Sequence, residues 1–127
     1  MATVELTSEN FEAVTSGDGL VLVDFWAAWC GPCRMFGPVF ERASERHADA
    51  VFGKVDTEAQ PELAGALGIS SIPTLMVLRD GVVLYARPGA LPEPVLEQLI
   101  AKALELDMDE VRADVERRQG AAKPASV

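Results

Sequence analysis

The chain has 127 residues, 49% of them apolar and 24% charged, which is enough to bury the core of one domain. Its net charge of −9 at pH 7 disfavours nucleic-acid binding, because phosphate contacts need clustered Lys and Arg. No apolar run approaches the roughly 20 residues that span a bilayer, and the N-terminal segment does not resemble a secretory signal. We therefore expect a cytoplasmic protein that binds neither nucleic acid nor membrane.

The first elements are a short strand, a short helix and a long strand. Residues 3–6 (TVEL) predict the first strand, and Thr7 or Ser8 is the expected N-cap of the helix that follows. Residues 20–26 (LVLVDFW) are apolar almost without interruption. This pattern is typical of a central strand that is covered on both faces.

The middle of the chain continues the alternation of helix and strand. A helix is predicted from about Pro32 to His47, with Pro38 inside it, and residues 50–56 predict the next strand. Residues 59–68 predict a short helix that ends at a glycine.

The last elements of the predicted sheet form a hairpin over residues 74–87, with its turn at Asp80-Gly81. An amphipathic helix is predicted over residues 92–106. Its apolar face consists of Val95, Leu96, Leu99, Ile100 and Ala103. The order predicts an α/β fold whose sheet is part parallel and part antiparallel, with helices on both faces.

The pattern of apolar and charged residues changes near residue 106. Residues 1–106 are expected to form the domain, and residues 107–127 a C-terminal extension. Met108, Val111 and Val115 recur at helical spacing among charges, which predicts a short helix. The tail after Gly120 is predicted to be disordered.

The two cysteines, Cys30 and Cys33, allow three interpretations. As a structural disulfide they would close a loop of four residues, which contributes only about 2 kcal/mol of stability. Zinc needs four ligands, and His47 lies about four helical turns away, so a zinc site would have to be shared between two chains. His47 is instead predicted to be a solvated residue at a helix end. The third interpretation is a redox pair.

The local physics favours the redox pair. Cys30 lies where a strand ends and a helix begins, and the free N–H groups of that helix end stabilise a thiolate. Cys33 is one turn further along and shares a helix face with Cys30. Pro32 suits the first helical turn, and Gly31 is expected to leave access to Cys30 open. Neighbouring turns are expected to cover Cys33.

Several motifs together resemble the thioredoxin family. They are VDFWA at 23–27, WCGPC at 29–33, IPT at 72–74, DG at 80–81 and PGA at 88–90. The resemblance extends from about residue 3 to about residue 105. It implies the thioredoxin fold, with a central mixed sheet of about five strands, flanking helices and a C-terminal helical extension.

The resemblance also implies a role for each matched residue. Cys30 would be the attacking thiolate and Cys33 the resolving thiol, with Asp24 as a buried proton shuttle and Lys54 as its neighbour on the next strand. A cis bond is expected before Pro73. The residues implied to contact a substrate are Trp29, Gly31, Pro32, Ile72, Pro73, Gly89 and Ala90.

Asp24 can be assessed from its sequence context as well. A carboxylate inside an apolar strand is costly to bury in its charged form, so its pKa should rise. A raised pKa suits a proton shuttle that works near neutral pH. The alternative is a structural aspartate paired with Lys54. Met35 and Met76 are predicted to be core residues.

We therefore expect a monomeric dithiol–disulfide oxidoreductase that reduces disulfides in cytoplasmic proteins. The resemblance implies that the cysteine pair carries the electrons without a bound cofactor or metal. It also implies that thioredoxin reductase, an NADPH-dependent flavoprotein, restores the dithiol. The alternative is a binding module, in which a thioredoxin fold serves as a subunit or chaperone and its C-terminal extension is the contact.

Overall fold

The computed structural model describes residues 2–122, which contain five strands and five helices. In chain order they are β1 (Thr3–Glu5), α1 (Phe11–Thr15), β2 (Leu20–Trp26), α2 (Gly31–Arg46), β3 (Val51–Asp56), α3 (Pro61–Ala66), β4 (Thr74–Arg79), β5 (Val82–Pro88), α4 (Glu93–Glu105) and α5 (Met108–Ala122). The strands form one sheet in the order β1-β3-β2-β4-β5. The first three strands are parallel, and β4 and β5 are antiparallel to their neighbours. The predicted mixed sheet is therefore confirmed.

Strand β2 lies at the centre of the sheet. It pairs with β3 on one side and with β4 on the other, and each of its residues except Trp26 is buried. Because both of its edges and both of its faces are covered, the strand can be apolar without alternation. The prediction for residues 20–26 is confirmed.

Alternate side chains of β2 enter two different cores. The core beneath α2 and α4 contains Leu20, Leu22, Phe36, Phe40, Ala43, Phe52, Leu75, Val77, Leu96, Ile100 and Ala103. The core on the other face contains Leu6, Val21, Val23, Phe25, Val55, Met76 and Leu78, against which Phe11, Val14 and Leu63 of α1 and α3 pack. Asp24 continues the series of Leu20 and Leu22, so its side chain lies on the α2 side of the sheet.

Two turns follow the local signals in the sequence. Asp80 and Gly81 both have positive φ angles, +52° and +79°, as a type I′ hairpin turn requires. Gly68, with φ +71°, follows α3, and the next amide, of Ile69, donates a 2.9 Å hydrogen bond to the Ala64 carbonyl. This is the helix end that a glycine at that position predicts.

The start of α1 differs from the prediction. Asn10, rather than Thr7 or Ser8, precedes the helix. Its Oδ1 accepts a 2.7 Å hydrogen bond from the Thr7 amide, so the Asn10 side chain closes the preceding turn instead of capping the helix.

Helix α4 buries most of its predicted apolar face. Leu96, Ile100 and Ala103 are buried and Leu99 packs at the edge of the core, but Val95 is exposed. Successive residues of an α-helix are rotated by about 100° around its axis, so Val95 points away from the buried side that carries Leu96 and Ile100.

The domain holds the end of α4 through Arg79 and contacts the C-terminal extension through Arg112 and Met108. Arg79 Nη1 donates hydrogen bonds to the carbonyls of Ala103, Leu104 and Leu106, at 2.9, 3.1 and 2.8 Å, where α4 ends. Arg112 of α5 lies 3.6 Å from the Asp80 carboxylate, and Met108 is buried.

Helix α5 is longer than the short helix that was predicted. It continues to Ala122, so residues 121–122, which were predicted to belong to the disordered tail, are helical. The rest of the predicted tail lies outside the described residues. Within residues 2–122, no helix has both the length and the apolar content needed to cross a bilayer.

Candidate active site

The two cysteines form a disulfide at the junction of β2 and α2. Cys30 is the N-cap of α2 and has an extended backbone conformation. Its sulfur accepts a 3.2 Å hydrogen bond from the Cys33 amide. Pro32 occupies the first turn, as predicted. The first turn of the helix therefore directs a backbone N–H group at the Cys30 sulfur.

Both cysteines are equally buried in the disulfide form. Cys30 and Cys33 are each 4% exposed and pack with Ala27, Trp26 and Ile72. The expectation that Cys30 would be open is therefore wrong for the disulfide form, whereas Cys33 is covered, as expected. Their different positions relative to the helix end distinguish the two residues, whereas their exposure does not.

Two loops from the antiparallel part of the sheet complete the surroundings. The Ile72–Pro73 bond is cis, as the resemblance implied, and the Ile72 carbonyl lies 3.7 Å from the Cys30 sulfur. The Gly89 amide donates a 2.8 Å hydrogen bond to the Pro73 carbonyl. Pro73 is buried, whereas Gly89 and Ala90 are exposed.

Asp24 is fully buried in β2, and its two carboxylate oxygens have no hydrogen-bond partner among the described residues. Burial raises the pKa of Asp24 from 3.8 to about 7, although the positive charge of Lys54 acts to lower it. The negative charge of Glu41 acts to raise this pKa further. The predicted rise in the pKa is present, and its main cause is desolvation.

Lys54 is the neighbour of Asp24 on the next strand, as the resemblance implied, but its ion pair is with another carboxylate. It faces Asp24 in the register of β2 and β3, but its Nζ atom lies 3.7 Å from Glu41 Oε1. The same Nζ lies 5.2 Å from the centroid of the Trp26 ring. Glu41 is a residue that the sequence analysis did not identify, because its contacts come from strands distant in the sequence.

A cavity of about 330 Å³ opens beside Cys33. Its walls are Trp26, Ala27, Ala28, Cys33, Arg34, Gly37, Pro38, Glu41 and Lys54. Arg34 closes one side, where its Nη1 donates a 2.9 Å hydrogen bond to the Ala28 carbonyl. Cys33 and the Lys54–Glu41 pair therefore line the same cavity.

The surface near the disulfide carries two large exposed apolar side chains. Trp29 is 66% exposed, as expected, and Met35 is 74% exposed. The prediction that Met35 is a core residue is wrong, whereas Met76 is buried. Met35 precedes the buried Phe36 by one residue, so it points about 100° away from the core.

His47 lies at the other end of α2 and is not the solvated residue that was predicted. Its Nε2 lies 2.8 Å from Glu97 Oε1, and its ring stacks on Phe52. Among residues 2–122, no group of three or more His, Cys, Asp and Glu side chains could hold a metal ion.

This fold, with a CxxC disulfide at the start of α2 facing a cis-proline loop, defines a class of dithiol–disulfide exchange proteins. The sequence model of the thioredoxin family matches residues 2–102. The chain belongs to the thioredoxin family, and it is a thioredoxin-like dithiol–disulfide oxidoreductase.

Named relatives are similar over most of the chain. A protein of Streptomyces coelicolor named "Putative thioredoxin 2" is 60% identical over 121 residues, which are 95% of this chain and 90% of that protein. A thioredoxin of Bacillus subtilis is 45% identical over 105 residues, covering 82% of this chain and all of the relative. Among solved structures, a point mutant of a thioredoxin from Halobacterium salinarum NRC-1 matches with a TM-score of 0.75 and 36% identity, over 83% of this chain and 93% of that one.

Proposed function

We propose that the chain reduces disulfide bonds in other proteins, with Cys30 as the nucleophile and Cys33 as the resolving thiol. The observation that carries this assignment is the 3.2 Å contact between the Cys33 amide and the Cys30 sulfur at the N-cap of α2. In the reduced protein, the same N–H group and the positive helix end would stabilise a thiolate on Cys30. Cys33 lies a turn further in, where the effect of the helix end is weaker.

The reaction has two exchange steps. The Cys30 thiolate attacks one sulfur of the target disulfide, a mixed disulfide forms, and the other target sulfur leaves as a thiolate. Cys33 then loses its proton and attacks the Cys30 sulfur, which closes the Cys30–Cys33 disulfide and releases the second target sulfur. The two electrons come from the cysteine sulfurs, so the proposed reaction needs no bound cofactor or metal. One proton comes from the Cys33 thiol, and the second comes from solvent because Cys30 reacts as a thiolate.

Asp24 is the proposed acceptor of the Cys33 proton. Its raised pKa of about 7 supports this role, because a base with a pKa near the working pH takes up and returns protons efficiently. The proton that Asp24 accepts would pass to the departing target thiolate. Lys54 is the residue of β3 that pairs with Asp24 of β2, and its positive charge would favour the ionised form of Asp24.

The proposed docking surface surrounds the disulfide. Its residues are Trp29, Gly31, Pro32, Ile72, Pro73, Gly89 and Ala90. Exposure of Trp29, Pro32, Gly89 and Ala90 supports direct contact with a target. Pro73 is buried, so its proposed contribution is to shape the backbone of the loop beside Cys30.

The remaining proposals concern the setting of the reaction. We propose that a monomer acts in the cytoplasm, where thiols are kept reduced. Thioredoxin reductase is the proposed donor that restores the dithiol with electrons from NADPH. Residues 1–106 are the proposed catalytic domain, and residues 107–127 an extension outside it.

An insulin-reduction assay tests the proposed activity. Insulin is mixed with dithiothreitol, or with NADPH and thioredoxin reductase, and its precipitation is followed by turbidity. The wild-type chain should accelerate precipitation with both reductants, and Cys30→Ser should abolish the acceleration. If wild type and Cys30→Ser both match the reductant alone, the chain is a binding module instead.

A further inference from the structure

Glu41 is a carboxylate that the proposed reaction does not use. Its Oε1 accepts a 2.9 Å hydrogen bond from the Thr3 hydroxyl of β1 and lies 3.7 Å from Lys54 Nζ. Its Oε2 is buried and has no hydrogen-bond partner among residues 2–122. Glu41 and Lys54 both line the cavity that reaches Cys33.

The position of the Lys54 ammonium depends on these neighbours. Lys54 faces Asp24 across the register of the two central parallel strands, but it forms its ion pair with Glu41. The Trp26 ring, 5.2 Å from Nζ, supports the same placement. Thr3 in turn holds the Glu41 carboxylate, so the charge pair is fixed from both β1 and β3.

We propose that Glu41 is a positioning residue that sets how readily Asp24 takes and returns its proton. It does so by drawing the Lys54 ammonium toward itself and by adding a negative charge on the α2 side of the sheet. This inference rests on the proposed role of Asp24 as the proton acceptor. Glu41 itself touches neither the cysteines nor the target in this assignment.

The charges of Lys54 and Glu41 act on the pKa of Asp24 in opposite directions. Burial is the main cause of its raised pKa, the Lys54 charge opposes the rise and the Glu41 charge adds to it. The charged or titratable groups around Asp24 and Lys54 are Lys54 and Asp56 of β3, Glu5 of β1, and Arg34 and Glu41 of α2, with the Thr3 hydroxyl from β1. Cys33 is held in the disulfide in the oxidised protein. Removing the Glu41 charge would lower the pKa of Asp24 directly, and it would also free Lys54 to approach Asp24.

The test compares Glu41→Gln with Glu12→Gln. Glu12 is an exposed carboxylate on α1, which packs on the opposite face of the sheet, so its loss changes the net charge equally. The titration of Asp24 is followed by NMR of its labelled carboxyl carbon in the oxidised proteins. We expect Glu41→Gln to lower the midpoint by about 0.5 pH unit or more and Glu12→Gln to leave it unchanged.

A second comparison identifies Lys54 as the intermediary. Glu41→Gln is introduced into a Lys54→Gln background, where only the direct effect of its charge remains. The midpoint of Asp24 should then shift by clearly less than in the wild-type background. An equal shift in both backgrounds, or no shift in either, would overturn the positioning role.

The pH profile of insulin reduction separates this inference from the proposed function. Its acidic limb should move to lower pH in Glu41→Gln, together with the NMR midpoint. If Asp24→Asn retains the wild-type profile, the proton-shuttle role of Asp24 fails whatever Glu41 does. If Asp24→Asn loses that limb but Glu41→Gln leaves it in place, only the Glu41 inference fails.

Discussion

The Gly89 amide donates a 2.8 Å hydrogen bond to the Pro73 carbonyl, and this bond joins the loop beside the disulfide to the loop that follows β5. Gly89 has φ +126°, a conformation that residues with a side chain rarely adopt. The two loops therefore form one surface whose geometry depends on a glycine.

Gly89→Ala should impair the reduction of protein targets. Forcing an alanine into this conformation costs about 1–3 kcal/mol, which the loop can relieve by moving away from Pro73. We expect kcat/KM for insulin to fall about threefold or more, while the reaction with a small aromatic disulfide stays within about twofold. Equal losses with both substrates would mean that the loop affects the cysteines themselves.

Asp24→Asn should change how stability depends on pH. Between the ordinary pKa of 3.8 and the folded value of about 7, the folded protein keeps a proton that the unfolded chain has lost. The free energy of unfolding therefore falls as pH rises through this window, and the loss is complete above it. The raised pKa of Asp24 corresponds to a fall in the free energy of unfolding on the order of 4 kcal/mol between pH 3 and pH 8.

Urea unfolding of the oxidised proteins at these two pH values measures the effect. Wild type should lose stability between pH 3 and pH 8, whereas the Asn variant should not lose this part because it has no carboxyl group to ionise. The free energy of unfolding of the variant minus that of wild type should therefore be larger at pH 8 than at pH 3. Comparing the two pH values cancels the constant cost of burying the amide. Parallel pH curves for the two proteins would contradict the raised pKa.

Cys33→Ser should trap a covalent intermediate. It retains the Cys30 thiolate but has no second sulfur to close the internal disulfide, so the mixed disulfide with a target accumulates. Non-reducing electrophoresis after mixing with cell extract should show adducts that dithiothreitol dissolves. The matched Cys30→Ser variant should show none, and adducts on that variant alone would reverse the roles of the two cysteines.

Removal of residues 107–127 should cost stability and leave the chemistry intact. The extension buries Met108 and places Arg112 beside Asp80, but none of its residues lies among those proposed for exchange. Losing a buried methionine lowers the free energy of unfolding by about 1.5–3 kcal/mol, so Tm should fall. The rate of insulin reduction should stay within about twofold of wild type. Met108→Ala in the full chain should reproduce most of the Tm change. A tenfold loss of reduction on deletion would make the extension part of the catalytic domain.

The sequence by itself determined the features that depend on neighbouring residues. The unbroken apolar run of β2, the Asp80-Gly81 turn and the glycine after α3 each act over a few positions, and all three are present. The CxxC spacing and the matched motifs likewise predicted the family and the cis bond before Pro73. These signals are local because backbone propensities and side-chain periodicity are local.

Only the tertiary structure decided which partners meet across the fold. Glu41 meets Thr3 and Lys54 because β1 and β3 are adjacent in the sheet, and no pattern around residue 41 reveals that pairing. The exposure of Met35 and the equal burial of the two cysteines likewise depend on what covers one end of α2. Side-chain identity shows that a group can be buried or charged, but the packing of distant segments determines whether it is.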